Sequence, residues 1–278
     1  MRPEIKELIE ISRFYGKDRN YVIAGGGNTS FKDEKTLWIK ASGYALSDLD
    51  EAGLVALDRE KLKVISTRSY AADPLVREEQ VKRDLTAGII DGDSAKRPSV
   101  ETSLHDIINY RFVVHLHPTF INGILCSRNA GNMVFKAFGE KVLFVPYTDP
   151  GYTLFKKLEK EIITYRERHS ADPQVIFLEN HGVFAGANST DEIRKVYDEI
   201  ITGLTSGIAI LPEPGVLPEY PEVNKLLPLL RMILSDGSIK VIRHRNNSLI
   251  AANSASGQDF DRISHPFTPD MVVYCRSR

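Results

Sequence analysis

Four prolines, Pro212, Pro214, Pro218 and Pro221, fall within ten residues together with Gly215. No helix or central strand runs through such a stretch, because each proline fixes its own φ and brings no N–H donor. The chain is therefore expected to divide there, with residues 1–211 as one domain and 212–278 as a C-terminal extension. Composition matters for what kind of chain this is. Hydrophobic residues make up 42% and charged residues 26%, which excludes disorder, collagen and coiled coil. Lys plus Arg number 36 against 37 Asp plus Glu, a net charge of −1, so no basic excess points to nucleic acid. No run approaches the ~20 apolar residues of a membrane span. Cys126 and Cys275 are the two cysteines, too few and too far apart for a disulfide framework or a CxxC site. The opening Met1-Arg2-Pro3-Glu4-Ile5-Lys6-Glu7 carries acids where a signal peptide begins its apolar stretch. A cytoplasmic location is the expectation, with neither nucleic acid nor membrane as partner.

Before the prolines, short strands alternate with amphipathic helices. Ile5, Leu8, Ile9 and Ser12 follow helical spacing, predicting a helix over 4–15. Gly25-Gly26-Gly27-Asn28-Thr29-Ser30 reads as a loop, since consecutive glycines destabilise regular structure. Strands are predicted at 36–40 and 53–58, a helix at 76–88, and a loop bracketed by Gly92 and Pro98. Ser99 to Tyr110 reads as a helix with Ser99 as its N-cap and Glu101 in its first turn. Phe112 to His117 is a strand stopped by Pro118, followed by a helix with Phe120, Ile121, Ile124 and Leu125 on one face. A strand at 141–146 and a helix at 152–168 come next. Val175 to Leu178 is a strand that Glu179-Asn180-His181-Gly182 breaks and Val183 to Ala185 resumes. Ser189-Thr190-Asp191-Glu192 matches a capping box for a helix to about residue 210. Beyond the prolines the pattern predicts a helix at 222–235 and strands at 239–244, 248–252 and 271–275. The sum is an α/β sandwich with a small C-terminal α+β appendage.

Two groups of residues could carry chemistry. His115 and His117 stand at i and i+2 on a strand, so period-2 geometry turns both rings to one face, under about 7 Å apart at Cα. That suits two ligands of one metal, and it also suits a pair of exposed or internally satisfied histidines. His181 before Gly182 is a third candidate that reads equally as a turn residue. Glu101 is a fourth that reads equally as a helix-dipole carboxylate. Together the four make a His₃Glu set fit for catalytic Zn²⁺. The second group, Gly27-Asn28, Ser42-Gly43 and Ser99, lies on three turns whose backbone N–H groups and small polar side chains suit an anion such as phosphate. The same residues also read as turn punctuation. No Walker motif is present, and Gly25-Gly26-Gly27 lacks dinucleotide-binding spacing.

Six short motifs recur in order: Gly27-Asn28-Thr29-Ser30, Lys40-Ala41-Ser42-Gly43, Pro98-Ser99-Val100-Glu101, His115-Leu116-His117-Pro118, Pro146-Tyr147 and Asn180-His181-Gly182. Over roughly residues 5–210 this resembles the class II aldolase/adducin family. Within it the nearest likeness is to the aldolase module of bifunctional rhamnulose-1-phosphate aldolase/short-chain dehydrogenase proteins. Ser264-His265-Pro266-Phe267-Thr268-Pro269-Asp270 and Val273-Tyr274-Cys275 resemble the stretch that follows that module. The resemblance implies a three-layer α/β/α sandwich of the fuculose-phosphate aldolase type. It implies one Zn²⁺ per subunit on His115, His117 and His181. It makes Glu101 both a fourth ligand and the catalytic acid/base, and Tyr147 a proton donor. Gly27, Asn28, Ser42, Gly43 and Ser99 become the grip on a substrate phosphate. One position departs: Val100 stands where those aldolases often carry a second serine, and the grip loses a hydroxyl.

The implied reaction cleaves a ketose 1-phosphate, rhamnulose 1-phosphate by the nearest likeness, to dihydroxyacetone phosphate and an aldehyde such as lactaldehyde. Zinc serves as the Lewis acid. Glu101, freed from the metal in a partly dry site, is expected to have a raised pKa suited to proton exchange. The family's other activities, ketose-phosphate 4-epimerase and dehydratase, use the same site. Its non-catalytic adducin-like members act through protein contacts and lose the metal ligands, all of which are present here. A homo-oligomer, a tetramer by the resemblance, is implied as well.

Overall fold

A computed structural model of the 278-residue chain describes residues 1–90, 96–206 and 214–275. From the N-terminus come α1 (Pro3–Gly16), β1 (Asn28–Lys32), β2 (Thr36–Lys40), β3 (Leu54–Asp58), the single-turn helices α2 (Arg59–Leu62) and α3 (Val64–Thr67), and α4 (Pro74–Ala87). Then follow α5 (Thr102–Ile107), β4 (Phe112–Leu116), α6 (Thr119–Leu125), α7 (Ala130–Phe138), β5 (Leu143–Val145), α8 (Tyr152–His169), β6 (Val175–Leu178), β7 (Gly182–Ala187) and α9 (Thr190–Thr205). Past the prolines lie α10 (Pro221–Leu234), α11 (Ser248–Asn253), α12 (Gly257–Ser264) and α13 (Pro269–Cys275).

The seven strands form one sheet in the order β3-β2-β1-β4-β7-β6-β5. Every pairing is antiparallel except β5 with β6. β4 is central, and all five of its residues are buried, which is why it reads as a continuous apolar run rather than an alternating one. Alternate residues serve opposite faces. Val113 joins Leu57, Ile176 and Phe184 in a core closed by Leu85 of α4, Leu104 of α5 and Leu158 of α8. On the other face Tyr197 of α9 donates its hydroxyl to the Val114 carbonyl at 3.0 Å and packs its ring at a tilt against Tyr15 of α1. Helices on both faces make the expected three-layer α/β/α sandwich. Each aliphatic side chain so buried stabilises the fold by about 1.5–3 kcal/mol.

Several local expectations change. The helix expected over 99–110 is only Thr102–Ile107, and Ser99 is not its N-cap: Ser99 Oγ accepts from the Glu101 N–H at 3.2 Å within the preceding turn, and Glu101 itself occupies the N-cap position. Asn28, Thr29 and Ser30 are not loop residues. They open β1, because pairing with β4 satisfies their backbone groups and outweighs the preceding glycines. The stretch 175–185 is not one interrupted strand but a hairpin of β6 and β7, closed by the Leu178–Gly182 pair. The helix α7 carried no expectation. The capping box is present in part: Ser189 Oγ accepts from Glu192 N–H, while Glu192 reaches the N–H of Asn188 rather than that of the cap. Residues 207–210, Gly92 and Pro212 lie outside the described residues.

The chain forms two compact units, one of residues 1–206 with 267–275, the other, in its described part, of residues 214–266. The second unit holds α10, α11 and α12, with one isolated bridge between Val216 and Asn247. No strand forms at 239–244, 248–252 or 271–275 among the described residues. Asn247 and Ser256 instead cap α11 and α12 through their side chains, and Pro269 starts α13. The appendage is therefore helical rather than α+β.

Candidate functional site

β4 delivers the first two histidines. His115 is its fourth residue, fully buried, with its ring stacked on Phe184 of β7 at 4.0 Å between centroids. His117 lies just beyond the strand, ahead of Pro118, and its ring meets that of His115 edge-on at 4.8 Å. His181 comes from the β6–β7 hairpin. Asn180 turns that corner with φ +57, a conformation Asn tolerates better than most residues. Asn122 of α6 donates its side-chain amide to the His181 carbonyl at 3.0 Å. Gly182 follows, and here no other residue fits: a Cβ would stand 2.6 Å from His117 Cδ2 and 3.1 Å from His115 Cε1. The three rings pack against that bare backbone.

The ligand nitrogens converge. His115, His117 and His181 each offer an atom within 4.8 Å of the others, and all three are buried. Glu101 adds an oxygen, its Oε1 lying 3.3 Å from His115 Nε2 and 3.1 Å from His181 Nε2. Neighbouring ligands of a tetrahedral zinc with bonds near 2.0–2.1 Å stand roughly 3.3 Å apart, so the set fits such an ion. Tautomers make the same point. The Val183 carbonyl accepts from His115 Nδ1 at 3.1 Å, and an Asp270 carboxylate oxygen accepts from His117 Nδ1 at 2.7 Å. Each ring therefore carries a proton on Nδ1, and the two Nε2 atoms face each other at 2.9 Å. Nitrogens that close need a proton or a metal ion against them.

Glu101 is set by the same neighbours. Burial alone raises its carboxyl, but the charge of His115 and hydrogen bonds from His115 and His181 hold it well below the ordinary carboxylate range. The raised pKa expected of a carboxylate freed from the metal belongs to another arrangement, since here the carboxylate touches the imidazoles. Asn28, across from His115 in the β1–β4 register, donates its side-chain amide to Glu101 Oε2. Lys40 is buried nearby, its ammonium donating to the Tyr44 carbonyl at 2.9 Å; desolvation lowers its pKa and the Glu101 charge opposes that.

The remaining expected residues fall at different places. Gly27 adopts φ +75 and lies against β4, where a Cβ would stand 2.8 Å from the His115 carbonyl. Ser99 and Asn28 both bond to Glu101. Ser42 and Gly43 are exposed, but the Ser42 N–H donates to the Arg97 carbonyl at 2.9 Å, tying their turn to the segment that carries Ser99 and Glu101. Val100, without the hydroxyl, faces solvent. Tyr147 is exposed and bonds to Asp149 at 3.1 Å; no hydrogen bond joins it to the histidines among the described residues. Its N–H donates to Glu179, two residues from His181. Sequence reasoning missed Asp270, Asn122, Gly182 and Phe184 as parts of the site. Gly182 and Asp270 each stood in a quoted motif without a role assigned to them, and nothing local marked Asn122 or Phe184.

Residues 6–202 match the family described as Class II Aldolase and Adducin N-terminal domain. The chain is similar in structure to the N-terminal class II aldolase domain of a conserved protein from Thermoplasma acidophilum, with 25% identity and a TM-score of 0.62 over 75% of this chain and 95% of that one. An aldolase II superfamily protein from Pseudomonas syringae shares the fold at 14% identity, with a TM-score of 0.51 over 77% of this chain and 82% of that one. In sequence the chain is 27% identical over 196 residues to a Bacillus subtilis protein named uncharacterized oxidoreductase YuxG. The match covers 67% of this chain and spans 27% of the length of that curated relative.

Proposed function

The chain belongs to the class II aldolase and adducin family, and on that premise we propose that it is a zinc-dependent aldolase, cleaving a ketose 1-phosphate such as rhamnulose 1-phosphate. The products are dihydroxyacetone phosphate and an aldehyde such as lactaldehyde. The observation that carries this reading is the convergence of the His115 and His117 Nε2 atoms at 2.9 Å, with His181 and the Glu101 carboxylate beside them. Such a set calls for a cation, and three imidazoles with one displaceable carboxylate are what a catalytic zinc takes.

The chemistry a bound zinc supplies is stabilisation of the negative charge on the substrate's carbonyl and adjacent hydroxyl oxygens. The residues do the rest, most simply followed in the condensation direction. Glu101, ionised, takes a proton from C3 of dihydroxyacetone phosphate. The electron pair left on C3 attacks the aldehyde carbon, forming the C3–C4 bond. Tyr147 gives its phenolic proton to the aldehyde oxygen. Desolvation, and then Asp149, raise the Tyr147 pKa and keep that proton on it until needed. Cleavage runs the same steps backwards. Gly27, Asn28, Ser42, Gly43 and Ser99 are assigned to the phosphate, and the site residues lie in the proposed catalytic module, residues 1–211, with 212–278 as its extension.

The test is dihydroxyacetone phosphate release from rhamnulose 1-phosphate and fuculose 1-phosphate by zinc-loaded protein, with and without chelator. Release that the chelator and His117→Ala both abolish is expected. Zinc-loaded protein that releases none refutes the aldolase and turns attention to epimerisation or dehydration at the same ligands. Full release with no metal bound refutes the metal.

A further inference from the structure

Residues 267–275 belong to the same compact unit as the sandwich, although the proline cluster separates them from it in sequence. They meet it at the histidines. Asp270, in the first turn of α13, puts Oδ2 2.7 Å from His117 Nδ1 across 153 residues of chain. Its side chain is only 18% exposed. Gly26 gives it room: a Cβ there would stand 2.8 Å from Asp270 Oδ1. One turn on, a Cβ at Gly25 would stand 2.6 Å from the Tyr274 hydroxyl. Cys126 reaches the Phe267 carbonyl at 3.6 Å.

A carboxylate on the far nitrogen of an imidazole fixes the ring's tautomer, holds its plane and makes the other nitrogen a stronger donor to a metal. We propose that Asp270 is a positioning residue of the metal centre, orienting His117 so that its Nε2 lone pair joins those of His115 and His181. Residues 267–275 are then a working part of the site. This rests on the metal reading above, and it goes beyond the ligands themselves.

The test uses the full chain: wild type, Asp270→Ala, Asp270→Glu and Tyr274→Phe. Zinc affinity is measured by competition with a chelating dye, and thermal unfolding is followed without metal. Asp270→Ala is expected to weaken zinc binding by about 10–100-fold, with partial recovery in Asp270→Glu. Tyr274→Phe loosens the same helix without touching His117 and is expected to bind zinc as wild type does. Asp270→Ala with wild-type zinc affinity overturns the proposal, as does Tyr274→Phe weakening binding as much as Asp270→Ala. If Asp270→Ala does not fold, imidazole ¹H–¹⁵N spectra of the metal-free wild type decide: a His117 proton on Nδ1 supports the assignment and one on Nε2 overturns it. Wild-type protein that binds no zinc removes the metal reading as well, whereas tight binding by both wild type and Asp270→Ala removes only the role of Asp270.

Discussion

Glu101 answers to three partners at once, and its substitution separates chemistry from folding. His115 and His181 face one oxygen and Asn28 the other. Glu101→Gln keeps a side chain of the same shape, with an oxygen for Asn28 and an amide for the imidazoles. Wild-type thermal unfolding is expected, with exchange of the dihydroxyacetone phosphate C3 proton slowed at least about 100-fold, the usual worth of a general base. Deuterium uptake from heavy water, followed by NMR, measures it. Lys32 offers a second residue-scale prediction. Its buried ammonium donates to the carbonyls of His105, at 2.6 Å, and Ile108 at the end of α5. Desolvation lowers its pKa to about 7, whereas in the unfolded chain it titrates near 10.4. Between these values the unfolded chain holds a proton that the native one has released. Stability from this group therefore rises with pH across that window and is lost as pH falls towards 7. Urea unfolding of wild type and Lys32→Met at several pH values isolates it: the stability difference, wild type minus variant, should grow from pH 7 to pH 9. The residue scale is also where sequence reading went furthest. The histidines and Glu101 were legible because each stood in a short motif whose side-chain chemistry is visible without a fold. The Glu101 pKa was not legible, since it depends on which rings the carboxylate touches.

Elements set where those side chains point. β4 brings His115 across from Asn28 on one side and Phe184 on the other, so antiparallel pairing builds half of the site by register alone. The β6–β7 hairpin brings His181 over the end of β4, and its tight turn demands the Asn180 conformation and the bare Gly182. Periodicity located most strands and helices but read this hairpin as one broken strand, because two apolar runs in sequence look alike whether the chain reverses between them or not. It also overextended α5: Ser99 has the chemistry of an N-cap, yet turn hydrogen bonds from Glu101 and Thr102 occupy its oxygens. Where a cap was correctly read, its worth can be measured. Ser189 Oγ accepts from the Glu192 N–H at 3.3 Å and opens the sixteen-residue α9. Ser189→Ala is expected to destabilise the protein by about 1 kcal/mol, seen as a lower urea midpoint with an unchanged slope. An unchanged midpoint would mean that Asp191 and Glu192 near the helix start suffice.

At the scale of the whole molecule, α10 leaves Leu226, Leu229, Leu230, Met232 and Ile233 exposed, more apolar side chain on one helix than a lone subunit usually shows to water. We expect a symmetric homo-oligomer, a tetramer by family resemblance; sedimentation equilibrium should return a multiple of the chain mass, and a monomer would refute it. The sequence by itself determined that three histidines and Glu101 are candidate ligands, that the fold alternates α and β, and that a proline cluster interrupts it. Those properties are local: residue type, spacing of a few positions, and the φ that proline imposes. Only the tertiary structure decided the helical form of the extension, the reversal that lifts His181 over β4, and the return of Asp270 to His117. Each depends on which distant surfaces bury one another, and the free energy of that burial is shared among residues whose spacing in sequence carries no record of it.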